Sequence, residues 1–509
     1  RLRRARSWPA DAWVFVVGGI ALLTYALHGF NGMLTRDLAV YSYAGQQVAD
    51  GVPPYVGILN RAGPLAHAIP AVGVGIARVG HFDDLVGMRS LFLAIAVLCV
   101  CAVYLLGRDV FASRSAGLVA AATFLTFSGF ISYASNGPRE KTPMTLFITC
   151  ALWAVARGRW FTAGLFVSLA TLCLQIAFWS SFTAVVAGAL FLAHGHRLRA
   201  LLRVAAGGVL PVAAFTAWFA LTGSLRDAAD AFLLINIRYT TPDPVLDKLD
   251  EVWLDLQTAY GISLWLIIAG LVALAVLSLA VVTKRGRAEG SPAVLLAAFA
   301  LGAAAGLAWN LKDYDAWPDL FPVLPFAAVG IAGLFHALTR RLSSTVAVVV
   351  AVVLCLVATG VAVVESVTTR DDRLEVQRES VAAVLAQAPA HATITSVEAP
   401  QALVLTRRTN PTRHQMFSGG LQDYLDDTWP GGMTGVRQGI VDAQPDLIVF
   451  GDPVSNRWRA AIQPEYVYLG SAPDWSWYAR ASLGEERIAA LRAAAGYDPE
   501  DPLAQPPPQ

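Results

Sequence analysis

Apolar residues fill the first 364 positions in long blocks, and the breaks between blocks are of two alternating kinds, short and basic or longer and rich in acids and aromatics. A helix needs about 20 apolar residues to cross roughly 30 Å of hydrocarbon. By that measure the blocks near 12–30, 84–107, 115–133, 142–156, 160–175, 177–194, 203–222, 261–283, 292–309, 319–337 and 344–364 predict about eleven transmembrane helices. One further block, "GPLAHAIPAVGVGIARVG" (63–80), is short and interrupted by Pro70 and several glycines. It predicts an interfacial or re-entrant helix rather than a span. The run 160–194 has basic residues at both ends, so it predicts a hairpin turning near Gln175 to Ser181 rather than one long helix.

The pattern changes at 365. Hydropathy falls, and "RDDRLEVQRESVAAVLAQA", "MTGVRQGIVDA" and "GEERIAALRAAAG" read as helices, with "ATITSV", "ALVLT", "DLIVFG" and "YVYLG" as short strands. The fold class expected is an all-α polytopic membrane domain over 1–364, followed by a small α/β extracytoplasmic domain over 365–495. The tail 496–509, with "DPEDPLAQPPPQ", is expected to be disordered.

Composition agrees with the membrane reading: 56% of the 509 residues are hydrophobic and 15% charged, and the mean hydropathy is +0.52. A net charge of +1 with no basic stripe argues against a nucleic-acid partner. Charge position carries more information. Basic clusters at Arg1 to Arg6, Arg108 and Arg114, Arg157 and Arg159, Arg197 to Arg203, Lys284 to Arg287, and Arg340 and Arg341 are each separated from the next by an even number of the expected crossings. Cytoplasmic loops carry the Lys/Arg excess, so the expected location is a cell membrane, with the N-terminus cytoplasmic and the C-terminal domain outside. The basic start followed by an apolar block, without a small-residue cleavage pattern, reads as an uncleaved signal anchor. The 5 cysteines all lie in apolar blocks, as small hydrophobes rather than a disulfide framework. His28, His67 and His81 have no metal-ligand spacing, and no Walker or dinucleotide motif is present.

The outer loops then fall at 31–83, 134–141, near 176, 223–260 and 310–318. Long loops without a packing role tend to carry function. In the first, "LTRDLAVYSYAGQQVADGVPPY" opens with an acid, and a helical projection sets Leu34, Leu38, Tyr41 and Val48 on one stripe with Asp37, Gln46, Gln47 and Asp50 toward the polar side. A plain reading of Asp37 exists: Thr35 caps a helix, and an acid in its first turn is favoured by the helix dipole.

The stretches "TRDLAVYSYAGQQVADGVPPYVGILNRAGPLAH" and "MRSLFLAIAVLCVCAVYLLGRDVFASRSAGLVAA" resemble the start of membrane glycosyltransferases of the GT-C fold, in the branch of the protein O-mannosyltransferases and lipid A aminoarabinose transferases. The resemblance lies in an acid opening the first outer loop, the "YA…G…PY" continuation, and a span ending in "YLLGR". It covers residues 12 to about 160, and "KDYDAWPDLFPVLPFAAVG" is similar to the late outer loop of that family. One departure stands out, because many relatives have a second acid directly after the first, where this chain has Leu38.

The resemblance implies transfer of a sugar, such as mannose or arabinose, from a polyprenyl phosphate donor to an acceptor hydroxyl on a glycan, lipid or protein at the outer face of the bilayer. Asp37 would be the general base, and partial desolvation at the interface would raise its basicity. Glu140, in "SNGPREKTPM", is the second catalytic candidate, orienting donor or acceptor; its alternative is a surface ion pair with Arg139 or Lys141. Arg36, Arg61, Lys312, Tyr314 and Arg238 are candidates for the donor and its phosphate, since a fixed cation stabilises developing charge. No protein metal site is expected, no cofactor is certain, and help from a divalent cation is left open. The competing reading is a non-enzymatic polytopic transporter or assembly factor for envelope lipids or glycans. Against it, the spans hold almost no mid-membrane charge of the kind ion-coupled transport uses.

Overall fold

The structure is a computed structural model and describes residues 11–283, 292–463 and 465–505. Two compact units emerge, one built from 1–29, 89–218 and 242–370 and the other from 30–88, 219–241 and 371–509.

The first unit is helical. Across the described residues, six helical segments are long and apolar enough to cross a membrane: Asp84–Phe111, Arg197–Leu221, Ser263–Val282, Ala293–Lys312, Trp317–Thr339 and Ser344–Gln387, whose apolar part is its first half. The pair Arg114–Leu125 and Ser128–Ala134, bent by 74°, makes a seventh if it is one span. The chain is a multi-pass membrane protein, but the expected count of about eleven is not reached by this measure. The other four expected spans fall on the helices Ala12–Leu27, Lys141–Ala156, Trp160–Cys173 and Ala177–Leu192, of 14 to 16 residues. At 1.5 Å per residue these reach only about 21–24 Å, short of the roughly 30 Å of hydrocarbon.

Small residues let these helices approach closely. A Cβ on Gly330 would stand 1.8 Å from the carbonyl oxygen of Gly270, so Ser263–Ser278 and Leu324–Thr339 meet backbone to backbone. In hydrocarbon such packing replaces the hydrophobic drive available in water. Two of the basic clusters are gathered at one place: Arg108 lies 3.0 Å from Asp11 and 2.8 Å from Asp109, Arg157 reaches Asp109 at 2.9 Å, and Arg114 stands 3.6 Å from Asp11. These contacts bring two of the expected same-side loops together with the start of the first helix. The clusters Arg1 to Arg6 and Lys284 to Arg287 lie outside the described residues.

The second unit joins the first expected outer loop to the C-terminal part. Strands β1 (Ile394–Val397), β2 (Leu447–Gly451), β3 (Tyr466–Ala472) and β4 (Trp475–Arg480) form a sheet of order β1-β2-β4-β3, with β1 parallel to β2 and the other pairs antiparallel. Trp475 and Trp477 are fully buried, and the helices Arg373–Gln387 and Glu485–Ala495 pack on one another beside the sheet. One sequence expectation fails here. "ALVLT" is part of the helix Gln401–Thr406, begun by Pro400 and stopped by Arg407 in the left-handed region, so its short apolar run fits a buried helix turn as well as a strand. In the described part of the tail, Asp501 accepts the Tyr468 hydroxyl at 2.5 Å, and Arg459 donates to the carbonyl oxygens of Pro502 and Leu503 at 3.1 and 3.4 Å.

In the same unit the helices Arg36–Ala49 and Leu65–Gly80 cross where Gly45 meets Pro70, so tightly that a Cβ on Gly45 would lie 2.6 Å from the proline Cβ. The first of these helices is not the two-faced helix expected. Gln46 and Gln47 are buried, and Gln46 donates to Asp84 at 3.3 Å and to the carbonyl of Val404 at 3.2 Å. The Gln46 side chain, expected to face solvent, is spent on internal hydrogen bonds.

Candidate active site

Thr35 caps the helix Arg36–Ala49, its hydroxyl accepting from the Leu38 amide at 3.5 Å, and Asp37 stands in the first turn. The residues entering this turn are fixed by the C-terminal part of the unit. Met33 N–H donates to Asp371 at 3.0 Å, and Gln377 both accepts from Leu34 N–H at 2.8 Å and donates to the Leu34 carbonyl at 3.1 Å. Arg36 is held twice: its backbone N–H donates to Asp474 at 2.7 Å, and its guanidinium Nη1 donates to Glu398 at 3.1 Å. A carboxylate at the first helical amide also suits the positive end of the helix dipole. Burial pushes the carboxyls of Glu398 and Asp474 above their usual range; nearby Arg36 opposes this in both, and the charge of Asp37 adds to it at Glu398.

Asp37 itself is treated differently. Its side chain is 46% exposed, and its distance to the Nε of Arg36 is 3.7 Å, an ion pair too long for a hydrogen bond. What the geometry offers is an accessible carboxylate on a fixed helix start, beside a cation engaged elsewhere.

Two further candidates sit in this unit. Arg61 donates to Thr240 at 3.5 Å, its carbonyl accepts from Asn236 at 2.9 Å, and its guanidinium lies against Gly419. Gly419 and Gly420 have φ of 64° and 84°, and a Cβ on Gly420 would come within 2.6 Å of the Tyr239 carbonyl, so only glycine serves at this crossing. Arg238 is 67% exposed, over the Tyr239 ring at 5.4 Å and 3.9 Å from Asp427.

The remaining candidates belong to the helical unit. Glu140 is buried, with Arg139 at 3.3 Å, so its pair is internal rather than on the surface. Lys141 and Asp319 form a second buried pair at 2.5 Å, and Asp319 also accepts from the Asp315 amide at 2.8 Å. Tyr314 is buried against Val245 and Val252, donates its hydroxyl to Asp255 at 2.7 Å, and carries Lys248 near its ring. Lys312 ends its helix exposed, with its ammonium 5.0 Å from the centre of the Trp309 ring. Nearby a polar cavity of about 210 Å³ is lined by Ser128, Ser132, Asp255, Thr258, Trp317 and Glu365, among others. Carboxylates, hydroxyls and an indole are the groups that bind sugars. No cluster of His, Cys, Asp and Glu suited to a metal occurs among the described residues.

Asp37, Arg36, Arg61 and Arg238 thus share one unit, and Glu140, Lys312 and Tyr314 the other. Sequence reasoning missed Glu398, Asp474 and Asp319. Glu398 and Asp474 carry a weak signal, each next to a short β-rich segment, but nothing in the chain order links either to residue 36.

The chain has the GT-C glycosyltransferase fold. The ArnT of Cupriavidus metallidurans bound to undecaprenyl phosphate is similar at a TM-score of 0.62 with 14% identity, over 94% of this chain and 100% of that one. Its apo state gives a TM-score of 0.61 with 12% identity, over 96% and 99%. The oligosaccharyltransferase of Archaeoglobus fulgidus in the apo form gives 0.51 with 13% identity, over 96% of this chain and 78% of that one. No protein-family model matches the sequence, and no curated protein does.

Proposed function

We propose that the protein is a membrane glycosyltransferase that moves a sugar from a polyprenyl phosphate donor to an acceptor hydroxyl, with Asp37 as general base. The acceptor oxygen attacks the anomeric carbon, its proton passes to Asp37, and the bond from that carbon to the phosphate oxygen breaks to release polyprenyl phosphate. The observation that carries this reading is the accessible Asp37 carboxylate on a helix start fixed from several sides. Undecaprenyl phosphate, bound by the structurally similar ArnT, is a lipid of the class the reading requires. Arg61, with Arg36 and Arg238, and Lys312 with Tyr314 are the candidate groups for the departing phosphate, whose charge a fixed cation would stabilise. The reading places the N-terminus in the cytoplasm and residues 365–509 outside, the orientation that basic loops favour.

The test is release of sugar from radiolabelled polyprenyl phosphate mannose and polyprenyl phosphate arabinose by the purified protein, with the copurifying lipid identified by mass spectrometry. Turnover of either donor supports the reading. No turnover, together with a copurifying lipid that carries no sugar phosphate, would favour a transporter or assembly factor.

A further inference from the structure

The helical unit holds a second cavity, of about 560 Å³, where four of its helices begin or end. Its walls come from the end of Ala177–Leu192, the start of Arg197–Leu221, the end of Ser263–Val282 and the start of Ala293–Lys312. Two of these helices touch through small residues: a Cβ on Gly302 would stand 2.6 Å from the Ser180 carbonyl oxygen and 2.6 Å from the Ala184 Cβ. Past that contact, toward Phe191 on one helix and Val294 on the other, the cavity lies between them. Its lining is mostly apolar, and some of it is open, with Leu279 65% and Leu301 47% exposed. His194 and Arg197, both exposed, join the lining at the helix ends, and Arg199 and Arg203 follow on the same helix, exposed as well. From Phe191 to Arg203 the chain has no acid, and none of the three arginines has an ion pair among the described residues. Cations at a helix start are disfavoured by its dipole. Positive charge thus collects, without a counter-charge from the described protein, beside an apolar cavity.

We infer that this cavity holds an anionic membrane phospholipid, one acyl chain lying between the helices and the phosphate meeting Arg197 and His194. The lining from Val294 to Leu301 runs about 10 Å along its helix at 1.5 Å per residue. One leaflet of a bilayer with about 30 Å of hydrocarbon is about 15 Å deep, so a chain entering at the helix ends stays within its own leaflet. The headgroup then lies level with Arg197, whose guanidinium forms charge-assisted, bidentate hydrogen bonds to phosphate. Basic pockets between transmembrane helices bind anionic headgroups in this way. Other occupants fit less well. A helix about 10 Å across, laid along that depth, would need about 790 Å³, more than the cavity offers, and a free phosphate would leave the apolar walls unfilled. Asp37 belongs to the other unit, so the inference does not depend on which acid is the base. A lipid held here joins four helix ends, and the stability of the protein should follow the charge of the headgroup.

The experiment is the thermal midpoint of the full-length protein in detergent, titrated with phosphatidylglycerol and, at equal acyl composition, with zwitterionic phosphatidylcholine. Phosphatidylglycerol should raise the midpoint saturably, by about 5 °C at a hundredfold excess over its Kd, and phosphatidylcholine by less than about a third of that. Arg197→Gln should abolish the difference between the two lipids. Ala300→Phe, which fills the cavity and leaves the cations in place, should abolish the rise with either. Arg341→Gln, in a basic turn outside the lining, should keep the whole response. An equal rise with both lipids, an undiminished response in Arg197→Gln, or an equal loss in Arg341→Gln overturns the proposal, the last in favour of a general attraction of basic loops to anionic lipid. The same rise with glycerol 3-phosphate alone would make this a site for a free anion. Polyprenyl phosphate that displaces phosphatidylglycerol, with its own effect lost in Ala300→Phe, would replace the phospholipid as occupant. A midpoint that climbs with protein concentration in the absence of lipid, and no longer does so in Ala300→Phe, would give the cavity to a second copy of the chain. Should Ala300→Phe fail to fold, Arg197→Gln decides against the Arg341→Gln control, because both side chains are exposed.

Discussion

Two acids opened the question of catalysis from equivalent positions in the sequence, each in a polar break between apolar blocks, and the structure gives them opposite surroundings. Asp37 is half exposed, with its carboxylate 3.7 Å from Arg36, whereas Glu140 is buried against Arg139 and sits beside the buried Lys141–Asp319 pair. A carboxylate that serves as a base must be reachable by the acceptor. One buried beside its ion-pair partner is closed off from it. The difference therefore lies in how deeply each acid is buried, which loop position alone does not reveal.

The largest expected effect separates the two directly. Asp37→Asn keeps size and the helix start, so the thermal midpoint in detergent should hold while turnover falls by about 10²–10⁴-fold. Glu140→Gln should do the reverse, lowering the thermal midpoint because Arg139 loses its buried partner, with turnover in the surviving protein reduced far less. An Asp37→Asn protein with near-normal rates, or a stable Glu140→Gln protein without activity, would exchange the roles.

The next effect is on stability. Lys141→Met leaves Asp319 charged and buried, and breaking such a pair costs about 3–5 kcal/mol. Pairing it with Asp319→Leu removes the stranded charge and should recover much of the loss, read as yield and thermal midpoint of the two proteins. If the single variant is as stable as wild type, the helical unit's polar island is not structural and must be reconsidered as a substrate site.

Much of the architecture behind this contrast was legible in the sequence, for stated reasons. Apolar blocks revealed the helices, and the cap at Thr35 with Asp37 in its first turn follows from local chemistry alone. The strand β4, "WSWYAR", escaped because its buried tryptophans hide the period-two alternation, with all but its last residue buried. Gln46 was misjudged since burial of a polar side chain depends on distant partners, here Asp84 and Val404. The clasp on Arg36 was invisible for the same reason: residues 36, 398 and 474 are brought together only by tertiary folding.

A smaller effect concerns the donor phosphate. Lys312→Ala removes an exposed ammonium that rests over Trp309 and supports nothing buried, so folding should be unchanged. If Lys312 meets the phosphate, donor use should weaken by about 1.5–3 kcal/mol, the worth of one charge-assisted hydrogen bond. Unchanged donor kinetics would shift the phosphate to the unit that carries Asp37, with Arg61 the first cation to test.

The smallest effect is expected at Arg238, and it sharpens the same comparison from the other side. Its guanidinium is two-thirds exposed, its distance to Asp427 is 3.9 Å, and it lies over the face of Tyr239. Exposed pairs of this kind contribute about 0–1 kcal/mol, less in salt. Arg238→Ala should therefore leave the thermal midpoint within error and change the donor KM by less than about threefold, roughly the kinetic equivalent of 0.6 kcal/mol. Arg61 is the control, because its backbone and side chain are tied to Asn236 and Thr240 and its head packs on Gly419; a cation fixed in this way is pre-organised for an anion, whereas Arg238 would first have to be ordered. A donor KM that rises tenfold or more in Arg238→Ala at unchanged stability, with Arg61→Ala near normal, would reverse that ranking and make the exposed arginine the phosphate contact.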